Sequence, residues 1–437
     1  MKKINKGQKL WKKAKKLIPG GNMLFSKRSE LILPEKWLSY YSKTKGAYVW
    51  DLDNMKYLDM MFYVGTSTLG YNHPKINKHI NSIVNKGVMS SLNCFEEVKL
   101  SEKLVEIHPW AKMVRLCRSG GEANSIAVRI ARAASGKDKI AICGYHGWHD
   151  WYLSANIKKN GLDSHIIPGL PVRGVPKALH DTVIPFEYNN FDQLKKIVSN
   201  HKIGTIKMEV ARSMQPKDNF LQKVRELATK NNIVLIFDEC TSGFRQTYGG
   251  MHKLYKVEPD IAMFGKALGN GYAITAVIGK KEIMNYAQDS FISSTFWTER
   301  IGPAAALKTL EVMKEIQSWK ILPKVGKYIS SSWKDIFDSV GLNCDIFGTP
   351  AMPCFAFKGK NSQKYKTIFT DLMLKKKILA SNVVFASVSH DNEKVLRNYL
   401  NNFYDTLNII SKIDKKKINI KKYLNSPTCH SEFKRLN

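Results

Sequence analysis

The sequence predicts an α/β fold with a mainly parallel central sheet, and two observations support this prediction. From about residue 110 to residue 280, short β-rich runs alternate with helical stretches, which is typical of a parallel sheet covered on both faces. The runs are Lys139–Cys143, Thr182–Phe186, Thr205–Val210, Ile233–Phe237, Ile261–Phe264 and Ala273–Gly279. The clearest helices between them are Ser119–Ala134 and Phe220–Asn231. A long helix at Ala304–Gln317 then leads towards a smaller α/β domain that ends in a helix near Asn392–Ile410.

The composition is ordinary for a soluble globular protein, with 43% hydrophobic and 24% charged residues in a chain of 437. No apolar run approaches the length of a membrane-spanning helix, so we expect no membrane association. The N-terminus is basic but lacks the apolar segment of a secretory signal, which predicts a cytoplasmic location. The seven cysteines are scattered without a CxxC pair, which predicts reduced thiols rather than a disulfide framework.

The net charge of +32 is the most unusual bulk feature. It is compatible with attraction to nucleic acid, to an anionic membrane or to an anionic substrate, and also with the compositional bias of an AT-rich genome. The lysines are spread over nearly every segment and form no basic stripe interleaved with aromatics. We therefore expect no nucleic-acid binding, and favour a general attraction for anionic ligands.

Two segments have the character of a binding site for a phosphorylated ring. Ser119-Gly120-Gly121 opens a helix, where free backbone N–H groups and the positive end of the helix dipole suit a phosphate. Tyr145 directly follows the strand at 139–143 and is placed to stack on a ring, because open α/β sheets bind ligands at the carboxyl ends of strands. His146, His149 and Asp150 share that loop, but three polar residues in one loop are weak evidence for a metal, and we predict none.

Two further segments place reactive groups after buried strands. Asp238 ends an apolar run and is either a solvated strand end or a carboxylate paired with a pyridinium. Lys266 follows a buried strand and Gly265, where a lysine is costly unless deprotonated, paired or covalently bonded. A phosphate turn, a stacking ring, a carboxylate and an amine are what pyridoxal phosphate (PLP) requires.

In these four ordered motifs the chain resembles the class III aminotransferases, most closely the glutamate-1-semialdehyde aminomutase branch, over about residues 10 to 400. The resemblance implies that Lys266 forms the Schiff base with PLP and that Asp238 is the partner of the pyridine nitrogen. It also implies further cofactor-binding roles for Gly120 and Gly121 at the phosphate, Tyr145 on the ring, Glu209 near the 3-hydroxyl edge, and Thr295 at the phosphate of the neighbouring subunit.

The fold that the resemblance implies is that of the fold-type-I PLP-dependent transferases, with a mainly parallel sheet of the seven-stranded type. We expect a large PLP-binding domain over residues 47–310 and a smaller α/β domain over residues 311–437, which the N-terminal segment 1–46 joins. Thr295 acts as a ligand only in a homodimer whose sites lie at the subunit interface, so a homodimer is expected.

Departures from the family pattern fall at the substrate mouth. Gly121 stands where Thr is usual, Cys240 where Val is common, and Thr298-Glu299-Arg300 replaces Gly-Asn-Pro. Trp297 adds bulk beside the cofactor, and an N-terminal loop resembling the aminomutase's carboxylate-binding loop has its arginine, Arg28, displaced by one residue.

These departures favour an aminotransferase that uses a small-molecule amino donor and a carbonyl acceptor, with an amino-sugar or surface-polysaccharide precursor as one candidate substrate. The second alternative is a glutamate-1-semialdehyde 2,1-aminomutase of tetrapyrrole biosynthesis. The third is a basic binding protein that has lost catalysis, which the presence of both Lys266 and Asp238 disfavours.

Overall fold

The computed structural model describes residues 5–158, 161–165 and 167–436. The chain forms two compact units, a smaller one of Met1–His73 with Ile321–Asn437 and a larger one of Pro74–Lys320. The strands are β1 Tyr41–Lys45, β2 Tyr48–Asp51, β3 Lys56–Asp59, β4 Met113–Cys117, β5 Lys139–Cys143, β6 Val183–Pro185, β7 Ile203–Glu209, β8 Val234–Glu239, β9 Ile261–Phe264, β10 Thr275–Gly279, β11 Cys344–Thr349, β12 Met352–Phe357 and β13 Ile378–Leu379.

The α-helices vary from single turns to more than twenty residues. They are α1 Lys6–Leu17, α2 Ser29–Ile32, α3 Pro74–Val84, α4 Phe95–Ile107, α5 Gly120–Ser135, α6 Asp150–Leu153, α7 Phe191–Asn200, α8 Phe220–Lys230, α9 His252–Tyr255, α10 Lys281–Met284, α11 Ile301–Ile316, α12 Ser318–Val340, α13 Ser362–Lys375 and α14 Glu393–Asp414. Two 3-10 turns matter for the site, Lys266–Gly269 and Thr295–Thr298.

The larger unit is built on a seven-stranded sheet of order β4-β10-β9-β8-β7-β5-β6. Strands β6, β5, β7, β8 and β9 run parallel, and β10 is antiparallel to both of its neighbours, β9 and β4. The predicted mainly parallel sheet is therefore confirmed, and each of the six predicted runs forms a strand within two residues of its expected bounds. Every residue of β7 and β8 is buried, as expected for central parallel strands with both faces covered.

The smaller unit contains a four-stranded sheet of order β1-β2-β3-β13 and the β11–β12 hairpin. Its core is strongly aromatic, with Trp333, Phe355 and Phe403 in mutual ring contact. Strand β13 pairs in parallel with β3, so β1 to β3 are held by the C-terminal part of the chain. The unit boundaries consequently lie after His73 and before Ile321, whereas the sequence led us to expect boundaries after residues 46 and 310.

The topology brings the predicted chemical groups to one edge of the large sheet. Glu209 and Asp238 are paired residues at the carboxyl ends of β7 and β8. Lys266 opens the 3-10 turn two residues after β9, the next strand across. Parallel strands end at the same edge, so three residues that are far apart in sequence meet there.

Candidate active site

Lys266 is held immediately beyond the sheet with its amine pointing at Thr241. Its Nζ donates a 2.6 Å hydrogen bond to Oγ1 of Thr241. Burial, and then the positive charges of Arg212 and Arg245, lower the pKa of Lys266 to about 8. A substantial fraction of the amine is therefore neutral near physiological pH, the state in which a lysine is nucleophilic.

Asp238 is buried, and each of its two carboxylate oxygens has a polar partner. Its Oδ1 accepts a 3.1 Å hydrogen bond from the backbone N–H of Cys240, and its Oδ2 lies 2.9 Å from Nδ1 of His146. Nζ of Lys207 is 3.8 Å from the same Oδ2. Burial alone would raise the pKa of Asp238, but Lys207 and His146 outweigh it and hold that pKa below its ordinary value. The carboxylate is thus charged in the interior.

His146 acts as a neutral donor to this carboxylate. Burial and the nearby charge of Lys207 lower the pKa of His146. Its two nitrogens face two acceptors, Oδ2 of Asp238 and the carbonyl of Cys143 at 3.1 Å. We assign the single proton to Nδ1, because a carboxylate is a stronger acceptor than a carbonyl.

Lys207 is the residue that sequence reasoning missed most clearly. It lies inside β7 and is 0% exposed. Within the part of the chain that the structure describes, its Nζ lies 3.8 Å from Oδ2 of Asp238 and 3.2 Å from Sδ of Met263. Burial lowers its pKa, while Asp238 opposes that shift. The available signal was a lysine in an otherwise apolar strand two residues before Glu209, since alternate residues of a strand share a face.

Glu209 links the strand ends to the Tyr145 loop. Its Oε2 accepts a 3.2 Å hydrogen bond from the backbone N–H of Tyr145, and its Oε1 accepts one of 3.2 Å from Nη1 of Arg212. Gly144 has φ +108, and a Cβ there would lie 2.7 Å from Oε2 of Glu209. Only glycine therefore permits this close approach of loop and carboxylate.

The Ser119-Gly120-Gly121 turn opens α5 as predicted. Ser119 accepts from the N–H of Glu122, and Glu122 in turn accepts from the N–H of Ser119 at 2.7 Å, forming a capping box. The N–H groups of this first turn have no acceptor within the helix and suit a phosphate. A Cβ on Gly120 would have only Cys240 Sγ nearby, at 4.0 Å, so this face of the turn is open.

The loop at Trp148 and His149 explains the glycine found in place of the family's threonine. A Cβ on Gly121 would lie 3.0 Å from Nε2 of His149 and 3.4 Å from Nε1 of Trp148. His149 is in turn held by a hydrogen bond to the hydroxyl of Ser125. The space that a threonine side chain would need is therefore occupied by this chain's own imidazole.

Thr295 is exposed in the single chain, unlike the groups gathered around Lys266. Its 3-10 turn is anchored on α5, because Nε1 of Trp297 donates a 3.1 Å hydrogen bond to Oε1 of Glu122. Glu299 accepts from the N–H groups of Ile301 and Gly302 and so caps α11. The residues that replace the family's Gly-Asn-Pro thus have local structural roles.

Tyr145 is partly buried, and burial raises the pKa of its phenol. Its ring makes an edge contact with Tyr152 at 6.0 Å between centroids. Arg245, another residue that sequence reasoning missed, is buried and donates from Nε to the carbonyl of Thr241 at 2.5 Å. Hydrogen bonds thus connect Lys266 with Thr241 and Arg245, and Tyr145 with Glu209 and Arg212.

This set of groups fits PLP. The amine of Lys266, the charged Asp238, the open turn at Gly120 and the half-buried ring of Tyr145 supply the contacts that the cofactor needs. No group of three or more His, Cys, Asp or Glu that could hold a metal ion occurs among the described residues. Within the same residues, no helix is both long enough and apolar enough to cross a membrane.

The fold and site define a PLP-dependent enzyme of the aminotransferase type. Residues 34–383 match the family "Aminotransferase class-III", and the chain belongs to that family. Its cofactor is pyridoxal phosphate, and it is a PLP-dependent aminotransferase or aminomutase. The predicted resemblance and the fold-type-I architecture are both confirmed.

Two curated members of the family are similar to this chain in sequence over most of its length. A 3-aminobutyryl-CoA aminotransferase from Cloacimonas acidaminovorans is 35% identical over 379 residues, covering 84% of this chain and 87% of the relative. A glutamate-1-semialdehyde 2,1-aminomutase from Nitrosopumilus maritimus is 31% identical over 410 residues, covering 87% and 94%. Among solved structures, the PLP internal aldimine form of the FumI protein from Sphingopyxis superposes with a TM-score of 0.85 at 22% identity, covering 96% of this chain and 99% of that one.

Proposed function

We propose that this chain is an aminotransferase that moves an amino group between two small molecules, an amine donor and a carbonyl acceptor. The observation that carries the proposal is the pairing of a lysine of lowered pKa, Lys266, with a charged and buried Asp238 at the same edge of the sheet. The amine of Lys266 can act as nucleophile and transfer protons, and the carboxylate of Asp238 can stabilise a positive charge on a ring.

Bound PLP supplies the carbonyl that takes up the amino group and the ring that withdraws electrons from the bond being broken. Lys266 holds the cofactor covalently between turnovers. Once an incoming amine has displaced it, the neutral Nζ of Lys266 takes the proton from the substrate carbon and returns it to the neighbouring position. Thr241 orients Nζ through its 2.6 Å hydrogen bond.

The other residues of the site would position the cofactor and polarise its ring. Asp238 keeps a proton on the ring nitrogen, because a negative charge at that place favours the protonated form. Gly120 and Gly121 bind the phosphate through backbone N–H groups. Tyr145 would cover one face of the ring, and Glu209, which would lie near the 3-hydroxyl, fixes the backbone of Tyr145 through a 3.2 Å hydrogen bond.

We further propose that the working form is a homodimer in which Thr295 reaches the phosphate of the other subunit. Two features support this assignment. Thr295 is exposed on its own chain, and its neighbours Phe291 and Phe296 are 87% and 68% exposed. Large apolar side chains that are this open mark an interaction surface, and a second copy would cover them.

Among substrates, we favour a small metabolite outside tetrapyrrole synthesis, with an amino-sugar or surface-polysaccharide precursor as one candidate. The relative that acts on 3-aminobutyryl-CoA adds an amino-acyl thioester as a second candidate. The aminomutase alternative is supported by the relatives of that name at about 30% identity. It is disfavoured because the departures from the family pattern cluster at the substrate mouth.

The experiment that tests intermolecular transfer uses the loaded enzyme and a panel of the standard amino acids, each labelled with ¹⁵N. We expect at least one amino acid to release its oxo acid in an amount equal to the enzyme sites, and the label to appear in a second molecule once a carbonyl acceptor is added. Conversion of glutamate-1-semialdehyde to 5-aminolevulinate, with no oxo acid released from any amino acid, would replace the proposal with the aminomutase.

A further inference from the structure

Arg212 stands at the edge of the candidate site with its guanidinium only partly used. Its Nη1 donates to Oε1 of Glu209 at 3.2 Å, and its side chain is 27% exposed. Within the described residues, its side chain makes no other hydrogen bond. An arginine has five N–H donors in a rigid fork, so most of its capacity is open to solvent or to a ligand.

Arg212 lies at the same edge of the sheet as the reactive amine, because its partner Glu209 ends β7 opposite Asp238 of β8. After burial, its positive charge is the largest influence that lowers the pKa of Lys266. Arg212 also adds to the lowering by burial of the pKa of Arg245, and it opposes the rise that burial causes in the pKa of Tyr145. This influence agrees with the contacts, because Glu209, which holds the guanidinium of Arg212, also accepts from the backbone N–H of Tyr145 in the ring-binding loop.

Three cations gathered at one edge repel one another, and Glu209 offsets only part of that repulsion. Arg212 acts to lower the pKa of both Lys266 and Arg245, and Arg245 acts to lower that of Lys266. A ligand that brings a negative charge to Arg212 would relieve this repulsion and use the open half of the fork. Arginine binds carboxylate and phosphate in a two-pronged geometry that a lysine does not provide.

The other arginine suggested by the sequence is already engaged within the smaller unit. The guanidinium of Arg28 lies over the rings of Phe25 at 5.1 Å and Phe433 at 5.6 Å. Its Nη1 donates to the carbonyl of Lys434 at 3.1 Å. The guanidinium of Arg28 therefore contacts two rings and donates one hydrogen bond within the smaller unit, whereas Arg212 keeps accessible donors.

We propose that Arg212 binds an anionic group, a carboxylate or a phosphate, carried by the substrate that reacts at Lys266. This inference rests on the proposed function and adds the substrate class, a small amine or carbonyl compound with a negative charge. Glu209 positions the guanidinium through Nη1, and the substrate anion takes the remaining N–H groups. Arg212 is thus the specificity-determining residue of the site.

The test measures binding of unreactive probes to the PLP-loaded enzyme by calorimetry. The probes are 3-hydroxybutyrate, which carries a carboxylate, glycerol 3-phosphate, which carries a phosphate, and butane-1,3-diol, which is neutral. We expect one or both anionic probes to bind the parent more tightly than the diol. The change Arg212→Gln should weaken that binding by about tenfold or more, because it removes a charged hydrogen-bond donor.

Two more variants keep the test decisive. Arg212→Lys retains the charge without the fork, and should fold and bind the anionic probes with an affinity between those of the parent and Arg212→Gln. Arg397→Gln removes an arginine from an exposed surface pair with Glu393, and should leave probe binding unchanged. The probe that loses more affinity in Arg212→Gln, carboxylate or phosphate, identifies the group that Arg212 takes.

The same preparations are reduced with borohydride to ask whether the cofactor is on Lys266. Absence of label there would defeat the proposed function itself. Label on Lys266, together with equal anion binding by the parent and by Arg212→Gln, would overturn the role of Arg212 alone. The inference is equally overturned if neither anionic probe binds the parent more tightly than butane-1,3-diol.

Discussion

Nζ of Lys207 lies 3.8 Å from Oδ2 of Asp238, and both side chains are buried on adjacent strands, β7 and β8. Burying the charged amine of Lys207 costs free energy, because its ion pair with Asp238 only partly offsets the loss of hydration. The pair keeps Asp238 charged before any cofactor is present. A ring nitrogen bound to Asp238, as we propose, would share that carboxylate with Lys207.

The change Lys207→Met should make the empty protein depend more strongly on its cofactor. Removing one partner of a buried ion pair costs about 3–5 kcal/mol, because Asp238 keeps its charge without its cation. The protonated ring nitrogen would then take the place of Lys207 as a buried cation beside Asp238, so cofactor binding should restore part of that loss. The measurement is the rise in melting temperature on PLP binding, which should be larger for Lys207→Met than for the parent.

The control for Lys207 is Lys358→Met, which removes an exposed lysine from its pair with Asp345. It should leave both the stability of the empty protein and the gain on PLP binding unchanged. An equal gain for Lys207→Met and the parent would show that Lys207 does not compete for Asp238.

Asp238→Asn should separate catalysis from folding. The variant keeps size and shape but loses the charge, so folding and cofactor loading should largely survive. Proton transfer should slow by orders of magnitude, each factor of ten corresponding to ~1.4 kcal/mol of barrier. A single-turnover reaction with an amine donor, followed by cofactor absorbance, measures this step. Near-parental kinetics in a fully loaded variant would remove Asp238 from the mechanism, and Asp345→Asn on the surface is the matched control.

The pKa of Lys266 predicts how capture of the cofactor depends on pH. The neutral amine is the reactive form, and burial with Arg212 lowers its pKa to about 8. The rate at which the empty protein binds PLP covalently should therefore rise with pH and level off above about 8. The variant Arg212→Gln lacks a positive charge that lowers the pKa of Lys266, so the midpoint of its rate–pH profile should move to higher pH. Stopped-flow absorbance measures both profiles, and a parent rate that still climbs at pH 10 would contradict this account.

A site shared between subunits predicts complementation. Lys266→Ala and Thr295→Ala chains should each be inactive alone, since one lacks the amine and the other the phosphate ligand. Hybrid dimers can hold one site with both residues intact, so mixing the chains should restore part of the activity. Demonstrably mixed dimers with no recovered activity would count against the placement of Thr295 at a partner's phosphate.

The sequence predicted the parts of this molecule that depend on local pattern. The strands that carry Glu209 and Asp238 near their carboxyl ends were visible because central parallel strands are nearly continuous apolar runs. The turn at Gly120 was visible because a serine before a glycine pair and a glutamate is a helix-opening signal.

What the sequence could not supply were contacts between residues distant along the chain. Lys207 becomes significant only because β7 lies beside β8, which places it diagonally across from Asp238. The fit of Gly121 depends on His149, which a separate loop brings within 3.0 Å of where a Cβ would lie. The extension of the smaller unit to His73 depends on β13 pairing with β3, a parallel contact between residues more than 300 positions apart.

The most direct test of the central claim is the site at which the cofactor is attached. The purified protein is reduced with borohydride and digested, and the peptide that carries the reduced cofactor is sequenced by mass spectrometry. Our account predicts a single labelled peptide with the modification on Lys266, and no label in Lys266→Ala, while the buried Lys207 stays unmodified in both. A Lys266→Ala protein that fixes the cofactor on another lysine would contradict the assignment of this site.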